Sequence, residues 1–138
     1  MNARLKFSDS LNLIRSFKTS GTITPSSKVL IKTLLAPIDF TSARCIIELG
    51  PGTGCVTRSI LERMHADCVL ICFEVNSDFV GQLEALQDSR LRVVNACASS
   101  IRTILDDLVI EEVDYIISSL PLALIDNEVV KRILESAR

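Results

Sequence analysis

Short apolar runs alternate with amphipathic stretches along the chain from residue 45 onward. The runs predict buried β-strands at 45–49, 68–73, 91–94 and 113–117. The stretches between and after them predict helices at 56–64, 77–86, 101–108 and 127–137. Regular alternation of buried strands and helices predicts an α/β fold with a parallel sheet, right-handed crossovers and helices on both faces.

The first 40 residues follow a helical rhythm instead. Residues 3–18 predict an amphipathic helix, because apolar positions advance in helical steps at Phe7, Leu11, Ile14 and Phe17. Its positive charge comes from Arg4, Lys6, Arg15 and Lys18. After a break at Gly21, a second helix begins near Thr24-Pro25, a cap residue followed by proline, and runs to about Leu35.

Composition narrows the function classes. The chain has 138 residues, of which 48% are hydrophobic and 23% charged, so it is expected to fold as one compact domain. Aromatic residues make up 4%, which argues against aromatic stacking platforms for single-stranded nucleic acid. The net charge of −2 is unevenly divided: residues 1–44 hold seven Lys or Arg against two Asp, and residues 45–138 are acidic. This basic front predicts either an anionic partner or a solvated basic helix.

The thiols and the single histidine offer little catalytic chemistry. The five cysteines form no CxxC pair, and all but Cys55 lie in apolar runs, so a disulfide framework or a zinc site is not expected. Free thiols favour a reducing cytoplasm. His65 follows a predicted helix and is either a general base or a surface residue.

Three of the five glycines fall in one loop between a predicted strand and a predicted helix. The loop reads Gly50-Pro51-Gly52-Thr53-Gly54, a place where α/β sheets bind ligands. Its G-x-G-x-G spacing differs from the G-x-G-x-x-G of dinucleotide-binding proteins, and the loop lacks the Gly-Lys-Ser/Thr of a phosphate loop. Glu48 precedes the loop, and Glu74 follows the next strand 20 residues after Gly54, where a carboxylate can accept ribose hydroxyls.

Residues 45–54, Cys-Ile-Ile-Glu-Leu-Gly-Pro-Gly-Thr-Gly, resemble motif I of class I S-adenosylmethionine-dependent methyltransferases. The resemblance covers about 45–122 and implies a Rossmann-like sheet, with residues 1–40 as an N-terminal helical region and 41–138 as the S-adenosylmethionine-binding domain. In that family the glycine loop passes under the amino-acid part of the cofactor. The resemblance implies that Glu74 contacts the ribose and that Val75 lies beside the adenine. The family sheet has seven strands, so we expect the chain to be truncated at its C-terminus.

The resemblance extends to the ends of the third and fourth predicted strands. Cys97 stands where the family often places Asp against adenine. The stretch 118–122 resembles the Asn-Leu-Pro-Tyr segment of ribosomal RNA adenine dimethyltransferases, with both Asn and the aromatic replaced. The implied cofactor-binding residues are Glu48, Gly50, Pro51, Gly52, Thr53, Gly54, Glu74, Val75, Cys97, Ala98 and Ser118. The implied substrate-binding residues are Ser119, Leu120 and Pro121, and no catalytic residue is assigned.

The chain is more similar to bacterial phospholipid N-methyltransferases. Those enzymes carry a Ser-x-Leu-Pro segment and a stretch similar to 21–27, Gly-Thr-Ile-Thr-Pro-Ser-Ser. The resemblance implies transfer of methyl groups from S-adenosylmethionine to the amine of phosphatidylethanolamine, with backbone and hydroxyl groups near Ser118 orienting the amine. Helix 3–18 is then expected on an anionic membrane, at the inner face of the cytoplasmic membrane. The alternatives are an RNA adenine N6-methyltransferase and a non-catalytic cofactor-binding protein.

Overall fold

The computed structural model describes residues 4–7 and 27–118, and its elements alternate between strands and helices. The strands are β1 (Arg4–Phe7), β2 (Cys45–Leu49), β3 (Val69–Phe73), β4 (Leu91–Val94) and β5 (Glu112–Ser118). The helices are α1 (Ser27–Leu35), α2 (Cys55–Arg63), α3 (Ser77–Glu84) and α4 (Ile101–Asp107), and a 3₁₀ turn at Ala98–Ser100 precedes α4. None of the helices in these ranges is long and apolar enough to cross a membrane.

The strands form one sheet in the order β1-β5-β2-β3-β4, with every neighbouring pair parallel. In register, Leu49 of β2 lies beside Phe73 of β3 and Ser118 of β5, and Phe73 lies beside Val94 of β4. These four residues form one row across the carboxyl ends of the strands. The chain therefore leaves the neighbouring strands β2, β3 and β4 at one level, through Gly50, Glu74 and Asn95.

Apolar layers cover both faces of the sheet. On one face, α1 and α2 pack over alternate residues of β2 and β3, with fully buried Leu35, Ile46, Ile60 and Leu70 in this layer. On the other face, α4 packs over the intervening strand residues, with Ile101 of the helix in the same apolar layer as Ile47 and Ile71. Burial on both faces explains why the strands of this parallel sheet read as continuous apolar runs. The predicted α/β fold with a parallel sheet and helices on both faces is confirmed.

The predicted helix over 3–18 is wrong at its start. Residues 4–7 form the edge strand β1, which pairs in parallel with β5, with a register shift between Leu5 and Phe7. The segment RLKF alternates polar and apolar residues, which suits a strand as well as a helical turn. Pairing with β5 supplies hydrogen bonds that a four-residue local pattern cannot predict. The described sheet therefore has five strands, one more than predicted among these residues, while the predicted helix at 127–137 lies outside them.

Candidate functional site

The glycine loop joins β2 to α2 at the carboxyl end of the central strand. Gly50, Gly52 and Gly54 have φ of 66°, 58° and 88°, the left-handed region where a side chain is strained. The backbone N–H of Gly50 donates to Phe73 O at 2.9 Å, and that of Gly54 donates to Pro51 O at 3.0 Å. The predicted loop residues therefore form a tight, internally bonded turn, with Pro51 buried and Thr53 exposed.

Two of the glycines meet different surroundings. A Cβ on Gly54 would lie 2.9 Å from Leu83 Cδ2 of α3, so this glycine lets α2 and α3 approach each other. A Cβ on Gly52 would meet nothing within 4 Å. The loop is thus closed on the side of Gly54 and open on the side of Gly52, where a ligand can approach the backbone.

Glu74 ties the loop to the end of β3. Its Oε1 accepts from the Gly52 N–H at 3.0 Å and its Oε2 accepts from the Asn76 N–H at 3.0 Å. Asn76 in turn caps α3, its Oδ1 accepting from Asp78 N at 2.9 Å. An ionised carboxylate has about four acceptor positions, so the two oxygens of Glu74 retain capacity for ligand hydroxyls. The sequence spacing predicted this acid at this strand end, and the structure brings it to the glycine loop.

Asn95 is a functional candidate that the sequence reasoning missed. Its Nδ2 donates to Glu74 O at 2.9 Å and to Val75 O at 3.2 Å, so it holds the turn that carries the acid. Asn95 comes directly after β4, at the same level as Glu74 after β3. The position of a polar residue right after a predicted strand was the signal that could have identified it.

The side chain of Glu48 lies inside the core rather than on the cleft. Glu48 is 0% exposed, and its Oε1 accepts from Thr57 Oγ1 at 2.5 Å and from Cys72 Sγ at 3.6 Å. Burial raises the pKa of the Cys72 thiol well above 9.0, and the Glu48 carboxylate raises it further, so Cys72 stays a protonated donor. Direct contact of Glu48 with a cofactor remains a prediction that this burial does not favour.

The other predicted residues follow the carboxyl ends of strands. Val75 is 68% exposed beside Glu74, Cys97 is half-buried, and Ala98 is buried at the start of the 3₁₀ turn. Ser118 is buried at the end of β5. Their parts in binding remain predictions, and Ser119, Leu120 and Pro121 lie outside the described residues.

His65 lies away from this site. It follows the C-terminus of α2, a nine-residue helix that begins at the glycine loop, so about 13 Å of helix separates the two ends. Its Nδ1 accepts from Asp67 N at 3.0 Å. Of its two predicted roles, the structure favours the surface residue. Within residues 4–7 and 27–118, no group of three His, Cys, Asp or Glu side chains converges to hold a metal ion.

A separate groove of about 320 Å³ runs along the outer edge of β4. It is lined mainly by the end of α3 and by β4, including Leu83, Leu91, Val93 and Leu108. None of the predicted site residues lies in it. We therefore assign the candidate site to the glycine loop, where the backbone and carboxylate geometry converge.

Comparison with known proteins gives one sequence relative. An ornithine lipid N-methyltransferase from Singulisphaera acidiphila is 35% identical over 103 residues, which are 73% of this chain and 54% of that protein. The chain thus spans about half the length of the curated relative that it matches. No protein-family model matches the chain.

Solved structures share the fold. The O-methyltransferase TomG from Streptomyces achromogenes, solved with S-adenosylmethionine, matches with a TM-score of 0.61 and 17% identity over 97% of this chain and 63% of that chain. A candidate RNA methyltransferase from Pyrococcus horikoshii matches with a TM-score of 0.54 and 20% identity over 81% and 51% of the two chains. At these identities the likeness establishes the fold alone. Together with the sequence relative, it places this chain among the class I S-adenosylmethionine-dependent methyltransferases, related to the lipid N-methyltransferases, and confirms the family that the glycine-loop motif predicted.

Proposed function

We propose that this chain binds S-adenosylmethionine at the glycine loop and transfers its methyl group to the amine of a membrane lipid. The single observation that carries the binding part is the bond from Gly52 N to Glu74 Oε1, which joins the open glycine backbone to a carboxylate. The lipid part is supported by the relative, which is named as a methyltransferase of ornithine lipid, a class of acceptor that carries an amine.

The residues present fit this cofactor. The backbone of Gly52 faces open space, Glu74 has acceptor capacity for ribose hydroxyls, and the exposed Val75 side chain offers an apolar surface beside it for adenine. When bound, the cofactor supplies a methyl group already activated on a sulfonium. The chain then has to hold that group and the acceptor amine in line and away from water, which is a matter of positioning.

The finer acceptor assignment is phosphatidylethanolamine, as the sequence resemblance implies. Ser118 ends β5 beside Leu49, level with the entry to the glycine loop. An amine acceptor oriented by backbone and hydroxyl groups near this strand end would therefore lie next to the proposed cofactor site. Ornithine lipid, the acceptor named for the relative, carries the same reactive group and is the second acceptor to test.

Contact with an anionic membrane is supported by the charges of the helices on one face of the sheet. The charged side chains of α1 and α2 are Lys28, Lys32, Arg58, Glu62 and Arg63, all exposed, which is four basic residues against one acidic. Val29 is 69% exposed between the lysines. Lysines near an anionic bilayer contribute about 1 kcal/mol each to binding. We extend the proposal to a cytoplasmic protein at the inner membrane face, resting on α1 and α2.

Methyl transfer with labelled cofactor tests the acceptor. Purified protein is incubated with S-adenosylmethionine carrying a tritiated methyl group and with vesicles that contain phosphatidylethanolamine, ornithine lipid or neither. Label is expected in an amine lipid, and RNA transcripts serve as a competing acceptor. Label in RNA instead of lipid would overturn the lipid assignment, and cofactor binding without transfer to any acceptor would favour the non-catalytic alternative.

Cofactor binding is tested separately by calorimetry. The wild-type chain is expected to bind S-adenosylmethionine, and Gly52→Arg is expected to abolish binding because the new side chain enters the open space at a strained φ of 58°.

Flotation with anionic and neutral vesicles tests the membrane contact. Flotation that does not depend on anionic lipid, or that persists in a Lys28→Glu/Lys32→Glu variant, would contradict that part of the proposal.

A further inference from the structure

Three polar side chains from three elements meet inside the apolar layer beneath the glycine loop. Glu48 of β2, Thr57 of α2 and Cys72 of β3 are each 0% exposed. We call these residues the inner cluster. Burying a carboxyl, hydroxyl or thiol costs free energy unless the group is hydrogen-bonded. The hydrogen bonds within the inner cluster therefore offset the cost of burying these three side chains. Thr57 and Cys72 were not among the predicted site residues.

The inner cluster closes the glycine loop from below. The chain enters the loop two residues after Glu48 and leaves it three residues before Thr57. The bond from Thr57 Oγ1 to Glu48 Oε1, at 2.5 Å, therefore joins the two ends of the turn. Cys72 Sγ donates to the same oxygen at 3.6 Å, which connects the neighbouring strand β3 to the cluster. The next residue of β3, Phe73, accepts a hydrogen bond from Gly50 N in the glycine loop.

The geometry points to Thr57 and Cys72 as positioning residues for cofactor binding. We propose that their donors hold the Glu48 carboxyl so that loop 50–54 keeps its binding-competent shape before any ligand arrives. Preorganisation of this kind raises affinity because less of the binding free energy is used to order the loop. The proposal rests on the proposed function only in naming the ligand as S-adenosylmethionine.

Thr57→Val is the decisive variant, because it keeps the shape of the side chain and removes the donor. We expect about tenfold weaker binding of S-adenosylmethionine by calorimetry, in line with loss of one buried hydrogen bond. Thr57→Ser restores the hydroxyl and is expected to bind within about twofold of wild type. Cys72→Ala is expected to weaken binding by about threefold, since a thiol is a weaker donor.

Two controls separate positioning from general destabilisation. Ile60 lies one turn further along α2 and is fully buried, so Ile60→Val lowers stability while it leaves the three polar side chains of the inner cluster in place. Thr33→Val removes an exposed hydroxyl that donates to Val29 O. Both are expected to bind the cofactor within about twofold of wild type. If Thr57→Val loses no more affinity than Ile60→Val, or if Thr57→Ser does not restore it, the proposal is overturned.

Hydrogen exchange of the ligand-free protein gives a second readout that does not depend on the identity of the ligand. We expect Thr57→Val to speed exchange of the Gly52 and Gly54 amides about tenfold, while amides of β5 keep their wild-type rates. Unchanged exchange at both glycines would overturn the proposal even if cofactor binding fell. Faster exchange in a protein that binds no S-adenosylmethionine would instead refute the proposed function and leave the positioning role standing.

Discussion

Glu48 and Glu74 lie at successive levels on the same side of the sheet, but their surroundings differ. Glu48 pairs in register with Cys72, and Glu74 lies two residues beyond Cys72, so their side chains leave the sheet on the same side at successive levels. Glu48 belongs to the inner cluster and accepts from side chains of packed elements. Glu74 accepts from the backbone amides of Gly52 and Asn76, and Asn95 supports its turn. We call these last four residues the rim cluster.

The difference separates two requirements of the glycine loop, a stable fold that supports it and an acceptor that binds the ligand. The inner cluster joins a strand, a helix and a neighbouring strand, so its loss affects the packing of the fold. The rim cluster joins loops, and its carboxylate has acceptor capacity left for a ligand. We therefore expect changes near the inner cluster to lower the free energy of unfolding most, and changes in the rim cluster to lower cofactor affinity most.

Gly54→Ala is expected to have the largest effect on stability. Gly54 is the N-cap of α2, the helix that carries Thr57, and an added Cβ would lie 2.9 Å from Leu83 Cδ2 at a φ of 88°. Strain at positive φ and overpacking together are expected to cost about 3 kcal/mol of the free energy of unfolding. Urea denaturation of the ligand-free protein measures this loss.

Gly81→Ala is the matched control for that variant. Gly81 lies within α3, and a Cβ there would meet nothing within 4 Å. The substitution is expected to raise stability by about 0.5–1 kcal/mol, because alanine favours the helix. Equal losses in the two variants would show that close packing at Gly54 does not explain its effect.

Glu74→Gln is expected to have the largest effect on affinity among rim variants. The amide of glutamine has only one acceptor oxygen. Its NH₂ group would therefore face one of the two backbone N–H groups from which Glu74 now accepts hydrogen bonds. We expect S-adenosylmethionine to bind about 10–100-fold more weakly, while the free energy of unfolding falls by about 1–2 kcal/mol, less than in Gly54→Ala. Calorimetry and urea denaturation measure the two quantities on the same preparation.

The control is Glu84→Gln, the same change on the exposed surface of α3. It is expected to leave both quantities near wild type. A loss of stability in Glu74→Gln as large as that of Gly54→Ala would contradict the division between the two clusters.

The same contrast explains which parts of the fold and of the site could be predicted from the sequence. Strands β2 to β5 were predicted because residues buried on both faces of a parallel sheet give continuous apolar runs. Glu74 was predicted because spacing from the glycine loop places an acid at the next strand end. Both signals are local, or depend on a regular connection between neighbouring elements.

The missed features depend on distant partners. β1 forms by pairing with β5, more than 100 residues later in the sequence. The burial of Glu48 could not be predicted because β2 is apolar on both faces, and nothing in its sequence indicates which face Glu48 takes or that Thr57 and Cys72 meet it. Asn95 was within reach, since it follows a predicted strand, but its donors act on backbone carbonyls that have no sequence signature.

Asn95→Ala is expected to have a smaller effect on affinity than Glu74→Gln. The variant removes two donors to the carbonyls of Glu74 and Val75 and leaves the carboxylate of Glu74 in place. We expect about three- to fivefold weaker cofactor binding, because neither lost bond is fully buried and both act on the turn rather than on the ligand. Asn95→Asp has nearly the same shape but lacks the donors, so it should be at least as weak. Wild-type affinity in Asn95→Asp would remove Asn95 from the rim cluster.

The thiols extend the comparison to pH, and their ionisation is expected to leave stability unchanged at neutral pH. Burial raises the pKa of Cys45 to about 12 from an ordinary value of 9.0. Above pH 9 the unfolded chain therefore releases a proton that the folded chain keeps, so stability that is fully present below pH 9 falls as the pH rises toward 12. The expected contribution is about 1 kcal/mol per pH unit, which Cys45→Ala removes. Cys55→Ala, at the half-buried thiol beside the glycine loop, is the control and should retain the wild-type slope in urea denaturation at successive pH values. Equal slopes in wild type and Cys45→Ala would show that the buried thiol does not contribute to the alkaline loss of stability.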